Sequence, residues 1–526
     1  MRLLPLGRLA GAGTPHRNQV VLVCFYLLVV VAAYEVAANI INDDMASLWY
    51  LFMALVGGVV VIKILNNWRA GVYFFLSWLL FEDLARKFLG NNMLIYFAKD
   101  ALALVVMLSF WTAYRRKEVS TFRPPFRVPL LLFFWLGVVQ VFNPASSHLA
   151  FGFLGLKLYY FYIPLMFVGY SLLQSESGLR RFFFTNLILA DVIACLGIVQ
   201  GVLGHTFLNP SVPAAELKEL STLYRTAPIS GVVLYRPTSV FVSDGRFGSY
   251  MILSMLLAFG FAGYLLLRSR QGRLFAFISL AIIGVSVVLT GSRGVLMWSA
   301  GSILVGSAAF LWGAPWKQGE ALRVLRTIQR TALVGGMGLL LFFYANPSAL
   351  LSRVAFYTET LSPNSPKSEL SQRVFAYPWQ NLTAAFDSGR WLYGYGIGTA
   401  SLGTQYVWLF FKVGSPVGGV ENGYGTLVLE FGVLGLFLWI VMSAAICGSC
   451  WKIARQLKGS PWFPLGFMLF WFAFLLLVPF TFNGMVSYQN FVLNAYLWLL
   501  IGVLFRLPSI ALATQFQITR STPADS

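Results

Sequence analysis

Charged residues are scarce in this sequence. Of its 526 residues, 11% are charged and 58% are hydrophobic, whereas a soluble globular protein has roughly 25% charged residues. The composition therefore excludes an ordinary soluble domain. Apolar stretches recur from one end of the chain to the other, and at about 20 residues each is long enough to cross a hydrocarbon layer of ~30 Å. We predict a polytopic membrane protein.

Cysteine and histidine are also few. Cys447 and Cys450 have the spacing of a metal or redox motif, but the sequence offers no second pair of ligands, and free cysteine is usually a small buried hydrophobic residue. The histidines are scattered, and the adjacent external carboxylates Asp43 and Asp44 have no third acidic ligand near them in the sequence. We therefore expect no metal site and no cofactor.

Fourteen apolar segments are candidate membrane spans. They lie near residues 19–39, 46–65, 71–81, 93–113, 129–143, 149–173, 182–203, 247–267, 274–290, 294–313, 331–345, 423–446, 463–482 and 490–505. The third segment is short and runs into Glu82, Asp83, Arg86 and Lys87, so a re-entrant or interfacial helix is the alternative there. The predicted fold is an all-α polytopic membrane protein with 12–14 transmembrane helices and a large periplasmic loop.

The basic residues orient this array. The net charge of +19 arises from 38 Lys and Arg against 19 Asp and Glu, an excess that can indicate nucleic-acid binding when it forms one soluble patch. Here 24 of the 38 basic residues fall in loops on one side of the predicted membrane, with four acidic residues. Because basic residues of short loops stay in the cytoplasm, we place both termini there and expect no nucleic-acid partner. The first apolar segment is then a retained signal anchor rather than a cleaved signal peptide.

This topology divides the chain into five parts. They are the N-terminal transmembrane helices (1–203), a first periplasmic loop (204–246), central transmembrane helices with the Ser-Arg-Gly turn (247–345), the large periplasmic loop (346–422), and C-terminal transmembrane helices with a cytoplasmic tail (423–526). The large loop has about 77 residues, and loops of that length usually carry function. Chemistry is therefore expected on the external face.

Three features stand out in the large loop. An amphipathic helix is predicted around Leu370–Phe386, and the motif Glu421–Tyr424 stands where the loop meets the next span. Between them, Gly394, Gly396 and Gly398 are spaced like part of a nucleotide-binding loop, but no strand precedes them and no third glycine with the required offset opens a helix. A turn is the favoured interpretation.

Three external arginines run against the charge rule. Arg236 and Arg246 precede the eighth span, and Arg293 lies in the short turn Thr290–Gly294. One interpretation is that such arginines extend to headgroup phosphates at the membrane surface. A phosphate site is favoured for Arg293, because it stands at a helix start, where a guanidinium and backbone amides both bind anions.

Four charged residues, Lys99, Asp100, Lys157 and Asp191, fall within predicted spans. Charges in a membrane interior usually pair with one another. Mutual pairing is therefore expected, and a proton or ion pathway is the alternative.

Several motifs resemble, in the same order, those of the O-antigen ligase and Wzy polymerase superfamily. They are Arg236-Pro237-Thr238-Ser239-Val240-Phe241, Phe247-Gly248, Thr290-Gly291-Ser292-Arg293-Gly294, Gln372-Arg373 with Trp379, Gly394-Tyr395-Gly396-Ile397-Gly398, Glu421-Asn422-Gly423-Tyr424, and Glu430-Phe431-Gly432-Val433-Leu434-Gly435. The match covers roughly residues 230–440, and the first 200 residues or so resemble the family only in being hydrophobic spans.

The resemblance implies a bacterial inner-membrane glycosyltransferase that uses glycans carried on undecaprenyl pyrophosphate. Glu421 is the implied catalytic base, which activates the acceptor hydroxyl. The implied substrate-binding residues are Arg236, Arg246, Arg293, Arg373, Asn422 and Tyr424. Ligases of the family carry His-Asn where this chain has Glu421-Asn422, which favours polymerisation of O-antigen or exopolysaccharide repeat units. The expected partners are the lipid-linked oligosaccharide, the bilayer, and, among proteins, a chain-length regulator and a flippase.

Elementary chemistry is compatible with this assignment. Displacing a pyrophosphate requires cations to neutralise the developing charge, and the outer face offers arginines for this purpose. One carboxylate near the acceptor hydroxyl is enough for direct inverting displacement, although Glu421 is also explained as a solvated acid favoured by a helix dipole.

Other function classes stay open from the sequence. A ligase acting on another acceptor belongs to the same class, and a lipid-linked oligosaccharide flippase or other secondary transporter belongs to a different one. Transporters tend to contain two related halves, and no such internal repeat is evident in the sequence. A structural subunit of an export complex is the third alternative.

Overall fold

The computed structural model describes residues 45–89, 93–120, 122–210, 223–315, 337, 344, 346–362, 365 and 372–521. The chain divides into two compact units, Met1–Gly71 and Val72–Ser526. Helix α1 (Met45–Asn66) belongs to the first unit. All sites discussed below lie within the second.

Helices make up nearly all of the described secondary structure. The α-helices that follow α1 are α2 (Trp68–Leu89), α3 (Met93–Arg115), α4 (Arg127–Val141), α5 (Leu149–Tyr160), α6 (Leu165–Leu172), α7 (Glu176–Leu203), α8 (Asp244–Arg268), α9 (Arg273–Leu289), α10 (Arg293–Gly313), α11 (Pro347–Leu361), α12 (Tyr377–Phe386), α13 (Thr404–Phe411), α14 (Gly423–Gln456), α15 (Phe463–Leu475), α16 (Thr481–Asn483), α17 (Val486–Gln489) and α18 (Phe491–Ser521). Two π-helical segments, Gln372–Ala376 and Leu476–Phe480, precede α12 and α16. Strands β1 (Tyr224–Thr226) and β2 (Val233–Tyr235) pair antiparallel between α7 and α8.

The prediction of an all-α polytopic membrane protein is confirmed. Within the described part of the chain, eight helical segments are long and apolar enough to cross a membrane. They are Leu94–Arg115, Leu149–Leu172, Glu176–Leu203, Asp244–Arg268, Arg293–Gly313, Gly423–Gln456, Phe463–Asn483 and Phe491–Ala513. Three shorter apolar helices, Val56–Asn66, Arg127–Val141 and Arg273–Leu289, match further predicted spans. Of the other predicted spans, 71–81 lies within α2, while 19–39 and nearly all of 331–345 lie outside the described residues.

Helix α8 lies at the centre of the packing. In its most apolar stretch of 18 residues, 83% of the residues are buried, against 28% in the corresponding stretch of Leu94–Arg115. Helix α8 packs on α9, α10 and α15. Helices in lipid gain little from apolar contact with one another, so they associate where small residues let the backbones approach. Two glycines of α8 allow such an approach to α15. A Cβ on Gly260 would lie 2.9 Å from Met468, and a Cβ on Gly263 would lie 2.8 Å from Pro464.

Helix α14 is interrupted at Gly432, whose φ of 74° and ψ of −177° are not helical. The interruption releases the carbonyls of Leu429 and Glu430 from the helix ladder. The amides of Tyr395 and Gly396 donate to these carbonyls at 2.7 Å and 3.1 Å. The glycine-rich segment of the large loop therefore satisfies the broken helix, as buried backbone groups require.

The predicted turn at Gly394, Gly396 and Gly398 is confirmed, because all three have positive φ. It is also a packed element, since a Cβ on Gly394 would lie 2.6 Å from the carbonyl oxygen of Glu430. The amphipathic helix predicted around Leu370–Phe386 corresponds to α12 and the π-helical segment before it.

Candidate functional site

A cavity of about 960 Å³ lies where several helix ends converge. Its wall includes the first residues of α10, the Glu421-Asn422 pair before α14, and Asn483 at the end of α16. The hairpin β1–β2, α11 and the start of α12 complete the rim. Arg236, Arg293, Glu421 and Asn422, which the sequence places far apart, therefore line a single cavity.

The cavity continues along one face of α10. Arg293, Met297, Gly301 and Val305 recur every four residues and all line it, which spans about 18 Å at 1.5 Å per residue. Trp471 of α15 also lines it, and its indole N–H donates to the Ser302 hydroxyl at 3.1 Å. The cavity is thus cationic at the helix ends and mainly apolar along the membrane-spanning part of α10.

Arg236 directly follows β2. Its guanidinium forms an ion pair with Asp244 at 2.6 Å, and its buried Nε has no hydrogen-bond partner in the described part of the chain. Burial lowers the pKa of Arg236 from its ordinary value, although a guanidinium stays charged at any physiological pH. Arg236 therefore contributes a fixed positive charge that is paired with Asp244, while its Nε stays available for a further hydrogen bond.

The segment after Arg236 is held in place from the protein interior. The Gln200 side-chain oxygen accepts from the amides of Thr238 and Ser239 at 2.8 Å and 2.6 Å. The Lys87 ammonium donates to the Thr238 hydroxyl at 2.8 Å and to the Ser239 carbonyl at 2.6 Å. These buried contacts fix the backbone that carries Arg236.

Arg293 begins α10, and the turn before it depends on glycine. Gly291 has a φ of 63°, and a Cβ there would lie 2.5 Å from the Leu234 side chain of β2. The Ser292 side chain makes no capping hydrogen bond, and the guanidinium lies 5.5 Å from the centre of the Phe356 ring, a cation–π contact. The first backbone amides of α10 and the Arg293 side chain are thus brought to the same wall.

Arg225 of β1 also lines the cavity, and our sequence reasoning missed it. The signal was present, because Arg225 is one more arginine in the loop 204–246, which the sequence analysis predicted to be external. Arg353 of α11 holds this region together instead, since it donates to the carbonyls of Leu289 and Tyr235 at 3.1 Å and 3.0 Å. Burial lowers the pKa of Arg353 from its ordinary value.

Glu421 and Asn422 play different parts in the wall. The Glu421 side chain is exposed to the cavity, and its backbone amide donates to the Asn381 side chain at 3.1 Å. Asn422 is fully buried and caps α14, because its side-chain oxygen accepts from the Gly425 amide at 2.9 Å. Its Nδ2 donates to the Pro378 carbonyl at 2.9 Å. Asn422 therefore positions Glu421, while Glu421 carries the available carboxylate.

The other predicted site residues lie elsewhere. Arg246 donates to both carboxylate oxygens of Asp83, at 3.0 Å and 2.8 Å, and does not line this cavity. Tyr424 packs edge-on against Phe482, with ring centres 5.7 Å apart, and is also absent from the lining. The Arg373 side chain lies outside the described residues, although Val374 beside it lines the cavity.

The intramembrane charges form ion pairs and hydrogen bonds. Lys157 pairs with Asp100 at 2.6 Å, as mutual pairing predicted, whereas Lys99 pairs with Glu82 at 3.0 Å. Asp191 accepts from the Ser279 hydroxyl at 2.6 Å. Within the described residues, no three His, Cys, Asp or Glu side chains are grouped so as to hold a metal ion.

No protein-family model matches the chain, and no curated protein matches it. The cavity and its chemistry therefore carry the functional argument.

Proposed function

We propose that the protein is a polysaccharide polymerase that joins oligosaccharide repeat units carried on undecaprenyl pyrophosphate. The observation that carries the proposal is the convergence of Arg225, Arg236, Arg293 and Glu421 on one cavity. Three guanidinium groups can bind a pyrophosphate, and one carboxylate can accept a proton. The order of motifs shared with the O-antigen ligase and Wzy polymerase superfamily supports the same function.

The arginines suit a lipid pyrophosphate for two reasons. Guanidinium groups form bidentate, charge-assisted hydrogen bonds with phosphate oxygens, and the first amides of α10 add the positive end of a helix dipole. The second reason is the apolar face of α10, with Met297, Gly301 and Val305. A polyprenyl chain attached to the pyrophosphate can lie along this face, where it exchanges the bilayer interior for an apolar protein surface.

The reaction we propose is a direct inverting displacement. An acceptor hydroxyl oxygen attacks the anomeric carbon of the donor glycan and forms the new glycosidic bond. The bond from that carbon to the pyrophosphate oxygen breaks, and its electron pair leaves with the pyrophosphate, whose charge the arginines neutralise. The hydroxyl proton passes to the Glu421 carboxylate, which acts as a general base.

We infer that the cavity faces the periplasm of a bacterial inner membrane, with both termini cytoplasmic. The support is the concentration of 24 of the 38 basic residues in the loops of the opposite face. A periplasm-active reporter inserted within 346–422 should be active, and one placed after Arg127 or Lys458 should not. The reverse pattern would overturn the orientation.

Reconstitution tests the proposed function. The purified protein in vesicles should lengthen lipid-linked oligosaccharide extracted from cells that lack this chain, and free undecaprenyl pyrophosphate should accumulate in step. Transfer only to an unrelated acceptor would indicate a ligase instead. Movement of the intact lipid-linked oligosaccharide across the bilayer, with no new glycosidic bond, would indicate a flippase.

A further inference from the structure

A second cavity, of about 570 Å³, lies beside the first. Its walls come from the residues after the glycine-rich turn and the start of α13 on one side. The segment from Asn483 to Gln489, which includes α17, forms the other side. The volume is within the usual range of roughly 300–1,000 Å³ for small-molecule sites.

Its lining differs in charge from that of the first cavity. The first holds three arginines and one carboxylate. Among the described residues that line the second, Glu421 is the single charged side chain. The other polar groups are hydroxyls and amides, and they include those of Ser401, Thr404, Gln405, Asn483, Ser487 and Gln489. Such groups both donate and accept hydrogen bonds, which is the recognition chemistry of a neutral, hydroxyl-rich ligand.

The two cavities share their boundary. Glu421 and Asn483 line both of them. Both side chains are exposed, so they face open space rather than protein interior. A ligand in each cavity would therefore meet at Glu421.

Two close contacts tie down the walls of the second cavity. The Gln489 side-chain oxygen accepts from the Leu402 amide at 3.2 Å, which ties α17 to the segment after the glycine-rich turn. Gly423 approaches the same region closely, since a Cβ there would lie 2.1 Å from the Thr481 carbonyl oxygen and 2.7 Å from the Met485 amide. The wall that contains α17 is therefore tied both to the segment after the glycine-rich turn and to the start of α14.

We propose that this second cavity is the acceptor subsite, which binds the neutral, hydroxylated end of the glycan that is to be extended. The inference rests on the proposed function, because it assigns the second substrate of that reaction. The acceptor hydroxyl reaches Glu421 from the second cavity, gives its proton to that carboxylate, and attacks the anomeric carbon held by the pyrophosphate in the first. The bond to the pyrophosphate breaks as the glycosidic bond forms.

Two separate binding measurements on the purified full-length protein test the assignment. One probe is undecaprenyl pyrophosphate, which carries the anion and lipid but no sugar. The other is the fluorescently labelled, delipidated and dephosphorylated repeat-unit oligosaccharide, which carries sugar hydroxyls but no pyrophosphate. Ser487→Trp and Thr404→Trp fill the second cavity from opposite walls. Thr383→Trp, on an exposed position of α12 that lines neither cavity, controls for an added indole.

The expected result is a double dissociation. Ser487→Trp and Thr404→Trp should each weaken oligosaccharide binding at least tenfold and leave undecaprenyl pyrophosphate binding within twofold of the unmodified protein. Arg293→Ala should do the reverse, and Thr383→Trp should change neither. Retained lipid pyrophosphate binding also shows that the tryptophan variants fold.

Two results would overturn the inference, and they differ in meaning. If the unmodified protein polymerises while both tryptophan variants keep full oligosaccharide affinity, the acceptor binds elsewhere and the proposed function stands. If the unmodified protein binds neither probe and forms no polymer, the proposed function fails and the acceptor subsite fails with it.

Discussion

Two groups of charged residues in this protein are built in opposite ways. Around α2 and α3, cations and carboxylates contact one another inside the protein: Lys99 pairs with Glu82, and Arg86 and Arg246 both pair with Asp83. The side chains of Glu82, Asp83, Arg86 and Lys99 are each no more than 2% exposed. At the first cavity, Arg225, Arg236 and Arg293 line an open space together with Glu421, and Arg236 is also paired with Asp244.

The difference separates structural charge from charge available to a ligand. A buried ion pair satisfies itself, so its main effect is to fix how helices sit and to penalise loss of either partner. Cations that border an open cavity keep their capacity to neutralise an incoming anion. Arg246 and Arg293 are both external by the sequence, yet they fall on opposite sides of this division.

The largest expected effect concerns the carboxylate of the cavity. Glu421→Gln keeps the shape of the side chain but cannot accept the proton, and loss of a general base costs about 10²–10⁴ in rate. Chain elongation by the reconstituted protein should fall by this factor, while undecaprenyl pyrophosphate binding is unchanged.

Glu430→Gln is the matched control for Glu421→Gln. Glu430 is buried and accepts from the Tyr159 hydroxyl at 2.8 Å and the Ala400 amide at 3.0 Å, and it lines neither cavity. Its replacement should lower thermal stability and leave the elongation rate of the folded protein near normal. If Glu430→Gln abolishes elongation and Glu421→Gln does not, the base has been misplaced.

The next effect breaks the self-compensated group. Lys99→Met leaves Glu82 buried without its cation, which should lower the free energy of unfolding by about 3–5 kcal/mol, measured by denaturation in detergent. The double variant Glu82→Gln/Lys99→Met removes both charges and should recover part of that loss. Equal stability of Lys99→Met and the unmodified protein would show that the pair does not hold the helices.

A smaller effect is expected for the arginines of the cavity. Arg236→Ala and Arg293→Ala each remove charge-assisted hydrogen bonds of about 1.5–3 kcal/mol, so undecaprenyl pyrophosphate should bind roughly 10–150-fold more weakly by equilibrium titration. Lysine at either position should restore only part of the lost affinity, because it lacks the planar fork of donors of a guanidinium.

Arg246→Ala sharpens the same contrast. Its loss leaves Asp83 without one of its two cations, so stability should fall more than donor affinity in the protein that still folds. If donor affinity falls for Arg246→Ala but not for Arg236→Ala or Arg293→Ala, the pyrophosphate binds at the buried group of charges and not at the first cavity.

The smallest expected effect lies on the surface beside the cavity. The Glu359 carboxylate of α11 accepts from the Ile229 amide at 2.7 Å and the Ser230 amide at 3.1 Å. Hydrogen bonding from Ser230, and then from the Ile229 amide, lowers the pKa of Glu359. A lowered folded-state pKa means that the contact contributes fully above the ordinary carboxylate pKa and is lost as the pH falls through the folded value.

Hydrogen exchange measures this contact. Protection of the Ile229 and Ser230 amides, corrected for intrinsic rates, should fall as the pH decreases below the ordinary glutamate pKa of about 4.3, because the folded-state pKa is lowered. In Glu359→Gln it should be low throughout and independent of pH. A pH dependence that persists in Glu359→Gln would assign the titration to another group.

The sequence predicted the membrane-spanning class and four of the residues that line the first cavity, namely Arg236, Arg293, Glu421 and Asn422. The length of the apolar segments predicted the membrane-spanning class. Arginines such as Arg293 were predicted as site residues because they lie on the predicted external side, against the charge rule. The same pattern predicted Arg246 as a site residue, but Arg246 pairs with Asp83. Asp83 belongs to α2 and lies 163 positions earlier in the chain. No local pattern encodes a contact at that separation.

The second cavity was invisible in the sequence for a related reason. Ser401, Thr404 and Ser487 are ordinary loop and helix-end residues, and only the fold brings them together. Likewise, the glycines at 394, 396 and 398 predicted a turn. Their contact with α14 depends on the interruption at Gly432, which in the sequence is one glycine within a long apolar span.

The interruption of α14 at Gly432 has a mechanical consequence. The two turns that precede it, Gly423–Phe431, are tied to the large loop by the Tyr395 and Gly396 amides, while Val433 at the start of the longer part donates to the Trp391 carbonyl at 3.0 Å. Transmembrane helices tilt to match the thickness of their bilayer, and a continuous helix would carry that tilt to its end. Here residues 391–396 of the large loop hold α14 on both sides of the break. We therefore expect a change in the tilt of α14 to move this segment of the loop together with the helix.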